Sequence, residues 1–329
     1  MMRKVLCSLL IGAMVFGSVA SLFAADPKVV LKLAEIHPKG YPTATADEEF
    51  ADLVNRYTNG DVKIQVYLGG ELSGDEKVII EQVKVGAIQI ARVSSGALGA
   101  FNKEMEVFGL PFLFDSKAHM WSFLNNKDGQ KMLADLAPSG FVGLCWYDGG
   151  ARSFYSKNSV ATPESLKGQK IRMIGNPVLM KMAEALGASP VSMAAGQVFG
   201  AIQTGVLDGA ENNPPSLISF NHYQVVKQYV LDEHCRLPEV LIMNKKVFDK
   251  MTKDQQVAFS KAAAETVAFQ RGAWAAYEVE ALNKIKAAGV EVIEVADKTP
   301  WQKATKTVFD ENAKNYPATV KAIMAAKAK

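Results

Sequence analysis

This chain of 329 residues is short of the groups from which chemistry is usually built. It has three cysteines and four histidines, and no second His/Cys set at ligand spacing completes a metal site around His234-Cys235. A nucleophile elbow and a phosphate-cradling GxxxxGK loop are both missing, which removes two common signatures of enzymes. No repeat or low-complexity tract interrupts the chain. Its net charge of +3 falls to about +1 once Arg3 and Lys4 are set aside. That balance gives no bulk electrostatic reason to bind nucleic acid or an anionic membrane.

The one long apolar run lies at the N-terminus. Arg3 and Lys4 precede it and small residues from Ala20 to Ala25 follow, the pattern of a secretory signal. Cleavage is expected after Ala24 or Ala25, with Ala20 as an alternative. Cys7 stands too early for a lipoprotein site, so a soluble exported product is expected. Of the other cysteines, Cys145 lies in an apolar strand and Cys235 beside His234. A disulfide and two buried thiols are both open.

What is present is α/β patterning. Val29 to Ala34 reads as a strand, and the capping box Thr45-Ala46-Asp47-Glu48 as the start of a helix stopped by Asn59-Gly60. Val62, Ile64, Val66 and Leu68 alternate as the next strand, giving a parallel βαβ unit. A Gly-rich turn, a helix through Ile79 and Val83 and a strand ending in Ala91-Arg92-Val93 complete a first lobe. One helix is expected over about 117–136, then the strand FVGLCWYD, with Gly149-Gly150 as a crossing between lobes. The apolar VFGLPFLF is read as core filler. Pro238 and LPEVLIMN suggest a return to the first lobe. Thr252 with Gln255 caps a helix running unbroken to Ala288, long enough to lie across both lobes. The expected division is 26–149 plus about 238–280 for one lobe and 150–237 plus about 281–329 for the other.

The most demanding stretch is Ser165 to Ser216. Arg172 sits in the apolar strand KIRMI, a place a charge tolerates only when paired or facing a wet cleft. Asn176-Pro177 opens a helix, and GAENNPPS gathers a carboxylate and two amides after a strand, where parallel α/β folds hold ligands. Together these read as an anion site.

Nearly the whole chain after the signal resembles the exported substrate-binding subunits of TRAP transporters, the tripartite carriers driven by ion gradients. The resemblance is carried by GDEKVIIEQVKVGAIQIARVSSG, LPFLF, YDGGARSFYSKN, LKGQKIRM, LGASPVSM, QVFGAIQTGVLDGAENN and LPEVLIMNK, in that order. It implies a two-lobed α/β flytrap with hinge crossings and a long helix spanning both lobes. It also implies a periplasmic receptor that closes on a small organic acid and hands it to membrane permease subunits, as a monomer with no metal or cofactor. The resemblance assigns Arg172 a bidentate salt bridge to the ligand carboxylate, with a buried pair to Glu211 as the alternative. Arg152 is implied as a second arginine that assists that carboxylate or holds its neighbours, with an ion pair between the lobes as the alternative. Asn212 and Asn213 are implied to reach the carboxylate or a hydroxyl, with backbone capping as the rival role for Asn213. Glu76, Arg92 and His37 are implied hydroxyl partners of a sugar acid such as a uronate, and Glu239 lines the cleft or faces the hinge. Ala195, Gln197 and Pro214 depart from the pattern of many relatives, and Phe199 is expected to supply an apolar face. The rival functions are a binder of a smaller hydroxy or oxo acid or a dicarboxylate, a ligand-presenting receptor for a sensor, and an exported enzyme using Glu76 or His37 as base.

Overall fold

Alternating side chains make β1 (Val29–Ala34) and β2 (Val62–Tyr67) half-buried strands that pair in parallel, Val29 opposite Val62. They are joined through α1 (Pro42–Tyr57). This helix starts three residues before the expected capping box, because Pro42 takes the first helical position behind extended Tyr41. The Thr45 hydroxyl then bonds the Tyr41 carbonyl at 3.2 Å instead of capping. The structure, a computed structural model, describes residues 27–327, so the expected signal and its cleavage positions lie outside the described residues.

Asp75 caps α2 (Glu76–Val85) by accepting from the Lys77 amide, and β3 (Ile90–Ser94) and the short α3 (Ser95–Leu98) follow. The single helix expected over 117–136 is two, α4 (Lys117–Leu124) and α5 (Lys127–Ala134). Asn126 breaks it, its side chain accepting from the Asp128 and Gly129 amides as the cap of α5. After β4 (Phe141–Tyr147) come β5 (Ser153–Ser156), β6 (Lys170–Met173), α6 (Pro177–Ala185), β7 (Ser189–Ser192), α7 (Val198–Gln203), β8 (Gly209–Asn212) and α8 (Pro214–Ser219). The chain continues through β9 (Gln228–Leu231), β10 (Glu239–Asn244), α9 (Lys245–Asp249), α10 (Lys253–Ala287), β11 (Glu291–Glu294), α11 (Thr299–Asn312) and α12 (Pro317–Ala325).

These strands form two sheets, one for each lobe, in the orders β2-β1-β3-β10-β4 and β11-β9-β5-β8-β6-β7. β10 inserts antiparallel between β3 and β4, so the chain crosses after β4 and returns after β9. A third crossing is α10. Its Phe259, Ala262 and Ala263 join the core over β1 and β2, while Ala281 and Ile285 join that over β5, β8 and β9. Gln270, midway, accepts from the Asp148 amide at 2.7 Å and donates to the Asp148 carbonyl at 2.9 Å, pinning the helix to the first crossing. Glycine is required at that crossing: a Cβ on Gly149 would lie 2.4 Å from the Leu237 carbonyl, and Gly150 has φ +65°.

A third core fills the space between the lobes. Phe108, Leu110, Leu113 and Phe114 pack there with Trp121 and Trp146, as core filler, alongside Ile171, Met173 and Val178 from β6 and α6. α12 packs against α4, and His119 Nε2 lies 2.8 Å from the Ile323 carbonyl. Cys145 and Cys235 are both buried free thiols.

Candidate functional site

Parallel strands aim their C-terminal ends at one edge of a sheet, and here both sheets turn that edge toward the cleft between the lobes. The first lobe presents Glu35, Ile36 and His37 after β1, Glu76 at the start of α2, Arg92 on β3 and Glu239 at the start of antiparallel β10. The second presents Arg172 and Ile174 from the end of β6, Arg152 before β5, Asn212 at the end of β8, and Ser216 and Phe220 from α8. Tyr41 and Ser216 join the two walls through a hydroxyl contact of 3.1 Å. Outward from this chamber opens a cavity of about 270 Å³, which shares Ile36, Glu76, Arg172, Ile174 and Ala195 with it and adds Gln197 and Lys77.

The two walls carry opposite charge. On the first, Arg92 is buried among three carboxylates. Its Nε donates to Glu35 Oε2 at 2.8 Å, one terminal nitrogen to Glu76 at 2.9 Å and Glu239 at 2.7 Å, and the other to Glu35 and toward His37 Nδ1 at 2.8 Å. Of its five N–H donors four meet carboxylates, and the fifth is turned toward His37 Nδ1, which also lies 2.9 Å from Glu35 Oε1. Arg92 lines the chamber and organises this wall, its N–H groups turned to protein partners. Burial would raise the Glu35 carboxyl, but Arg92 and His37 hold it far below the usual carboxylate range. Glu239, buried beside Glu76, is raised to about 7 in spite of Arg92. Burial also depresses the His37 imidazole, so it is neutral at pH 7. His37 stacks on Tyr41 with ring centroids 3.7 Å apart and meets Phe220 at 5.1 Å.

On the second wall the arginines differ sharply. Arg152 grips Glu211 through Nε and, at 2.9 Å, a terminal nitrogen, and its other terminal nitrogen donates to Asn212 Oδ1 at 2.9 Å. Glu211 also accepts the Ile174 amide at 3.1 Å and lies 3.6 Å from His234. Against the cost of burial, Arg152 and His234 lower Glu211 to about 2. Arg152 thus forms a buried ion pair that holds β5 to β8 within one lobe, rather than the expected pair between lobes. Arg172 makes one bond, from Nε to the Met193 carbonyl at 2.8 Å. Among the described residues its two terminal nitrogens have no partner, although the residue is only 6% exposed. Glu211 does not pair with it. Burial, with Arg152 nearby, lowers the proton affinity of Arg172 despite the pull of Glu211.

Asn212 spends its carbonyl on Arg152 and the Asn213 amide, leaving its NH₂ toward the chamber. Asn213 is occupied at both ends, accepting from the Ser216 amide as the cap of α8 and donating to the Gly149 carbonyl at 2.8 Å. The capping role holds for it. Phe199 is half-buried on α7 and lines neither cavity of the cleft; the aromatic there is Phe220. Of the departures, Ala195 and Gln197 line the outer cavity, whereas Pro214 is buried at the first turn of α8. Glu35, Ser216 and Phe220 carried no motif. Phase along α8 from the Asn213-Pro214-Pro215 start would have placed Ser216 and Phe220 on one face, four residues apart.

The pattern of the DctP family, bacterial extracellular solute-binding protein family 7, matches residues 33–315. The chain belongs to this family. Among its relatives is a solute-binding protein of Chromohalobacter salexigens, 35% identical over 283 residues, covering 86% of this chain and 84% of that one. Two solved structures of TRAP periplasmic solute-binding proteins superpose closely. The one from Pseudomonas putida F1, with bound D-glucuronate, has a TM-score of 0.88 at 41% identity, covering 91% of this chain and 98% of that one. The one from Xanthobacter autotrophicus Py2, with bound β-D-galacturonate, has a TM-score of 0.87 at 41% identity, covering 90% and 100%. DctP-family membership and the two-lobed fold agree, and no helix among the described residues is long and apolar enough to cross a membrane.

Proposed function

We propose that this chain is the periplasmic receptor of a TRAP-type transporter and that it captures a hexuronate such as D-glucuronate or D-galacturonate. The observation that carries this reading is the pairing of unequal walls. Arg172 offers two free, planar N–H donors, a match for a carboxylate. Across the cleft Glu76 Oε2 and Glu239 Oε1 have no donor among the described residues, a match for sugar hydroxyls. A ligand with an acid at one end and hydroxyls at the other meets both. The outer cavity, about 270 Å³, is near the lower end of the roughly 300–1,000 Å³ of small-molecule sites. The hexuronates bound in the two superposed structures support the same class. Ligand contacts on both walls favour the closed arrangement, which permease subunits would then recognise.

Thermal shift and calorimetry with D-glucuronate, D-galacturonate, C4 dicarboxylates and short 2-oxo acids test this. A rise in melting temperature confined to the hexuronates is expected. A response to none of them, or a stronger response to a C4 dicarboxylate, rejects it.

A further inference from the structure

We infer that Glu76 and Glu239 set specificity by exclusion, admitting sugar monoacids while rejecting diacids built on the same carbon skeleton. This rests on the hexuronate reading. Glu35, Glu76 and Glu239 surround one cation, Arg92, and take four of its five N–H groups, while the fifth is turned toward His37 Nδ1. The wall is therefore anionic, with its guanidinium N–H groups turned to protein partners. What it does offer are two carboxylate oxygens without donors, Glu76 Oε2 and Glu239 Oε1. A hydroxyl gives each a proton to accept.

A second carboxylate gives neither a donor. At pH 8, where Glu239 is ionised, it would bring a third negative charge against the two at hydrogen-bond distance, with water displaced, and like charges so placed are costly. The other cation lining the outer cavity, Lys77, is exposed to solvent, where its attraction is screened. With one carboxylate held by Arg172, a six-carbon diacid has to direct its other end at this wall, whichever way round it enters. The selectivity thus comes from a repulsive element as much as from the attractive one.

Calorimetry decides it, comparing D-glucuronate with D-glucarate and D-galacturonate with galactarate at pH 8, on the full secreted protein and on Glu239→Gln and Glu76→Gln variants whose folding is checked by circular dichroism. The wild type is expected to bind each monoacid at least a hundredfold more tightly than its diacid. That ratio should narrow at least tenfold in one or both variants, even where the monoacid itself binds more weakly. Diacid affinity within threefold of monoacid affinity in the wild type overturns the inference. So does an unchanged ratio in both folded variants. Failure of the wild type to bind any monoacid overturns the hexuronate reading itself, and this inference with it.

Discussion

Arg172 and Arg152 are both buried arginines of the second lobe, yet removing them should harm different properties. In Arg172→Ala a ligand carboxylate loses two charge-assisted bonds of about 1.5–3 kcal/mol each, about 3–6 kcal/mol in all. At about 1.4 kcal/mol per decade, affinity for D-glucuronate should fall roughly 10²- to 10⁴-fold. Arg172→Lys keeps the charge but loses the planar fork, so a loss of about one bond, roughly tenfold to a hundredfold, is expected. Stability should fall by no more than about 1 kcal/mol in either variant, the worth of the single bond to the Met193 carbonyl, because the Arg172 guanidinium has no carboxylate partner to strand. Arg152→Ala is the reverse. It leaves Glu211 buried and stripped of its guanidinium, a change worth about 3–5 kcal/mol of destabilisation. Calorimetric titration gives the affinities and urea unfolding the stabilities. Binding of Arg172→Ala within threefold of wild type refutes the assignment. So does a loss of stability in Arg172→Ala equal to that in Arg152→Ala.

Two buried acids should give stability opposite slopes with pH. Glu211 is lowered from 4.5 to about 2, so its contribution is present above pH 4.5 and is lost as the pH falls toward 2, a span of about 3 kcal/mol that Glu211→Gln should abolish in urea unfolding. Glu239 is raised from 4.5 to about 7, so its contribution is present below pH 4.5 and lost as the pH rises to 7; Glu239→Gln should be more stable than wild type at pH 8, by up to about 3 kcal/mol, and no different at pH 4. Two glycines should respond oppositely to alanine in thermal unfolding. A Cβ on Gly109 would lie 2.3 Å from Asn176 Oδ1, which caps α6, and should cost about 1–3 kcal/mol. One on Gly272 meets nothing within 4 Å in mid-helix and should stabilise by about 1 kcal/mol.

Features set by neighbours in the chain were legible before the structure. Alternation gave β1 and β2, Asn176-Pro177 gave the start of α6, and Thr252 with Gln255 gave the start of α10 with its capping box intact. Arg172 was legible for a related reason, since an arginine within an apolar strand is anomalous on its own terms. The ion pairs were not. Arg92 meets Glu35 across 57 residues and Glu239 across 147, and Arg152 meets Glu211 across 59. A lone acid after a strand gives no sign of such a distant partner. Hence nothing in the sequence marks Arg92 as the centre of a carboxylate cluster. Phe199 failed for another reason. It lies on the short α7, and which side of a six-residue helix meets the cleft depends on how that helix docks.

The long helix α10 makes a lever of the hinge. Its fulcrum is Gln270, whose amide is bonded to both the N–H and the carbonyl of Asp148. From there to Ile285, seated in the second lobe, is fifteen residues, an arm of about 22 Å at 1.5 Å per residue. A helix bends far more readily than it stretches, and a flexure of about ten degrees at the fulcrum would swing the end of that arm by about 4 Å. Displacements of that size act on the contacts that join the walls, the Tyr41–Ser216 hydroxyl pair and the His37–Phe220 rings among them.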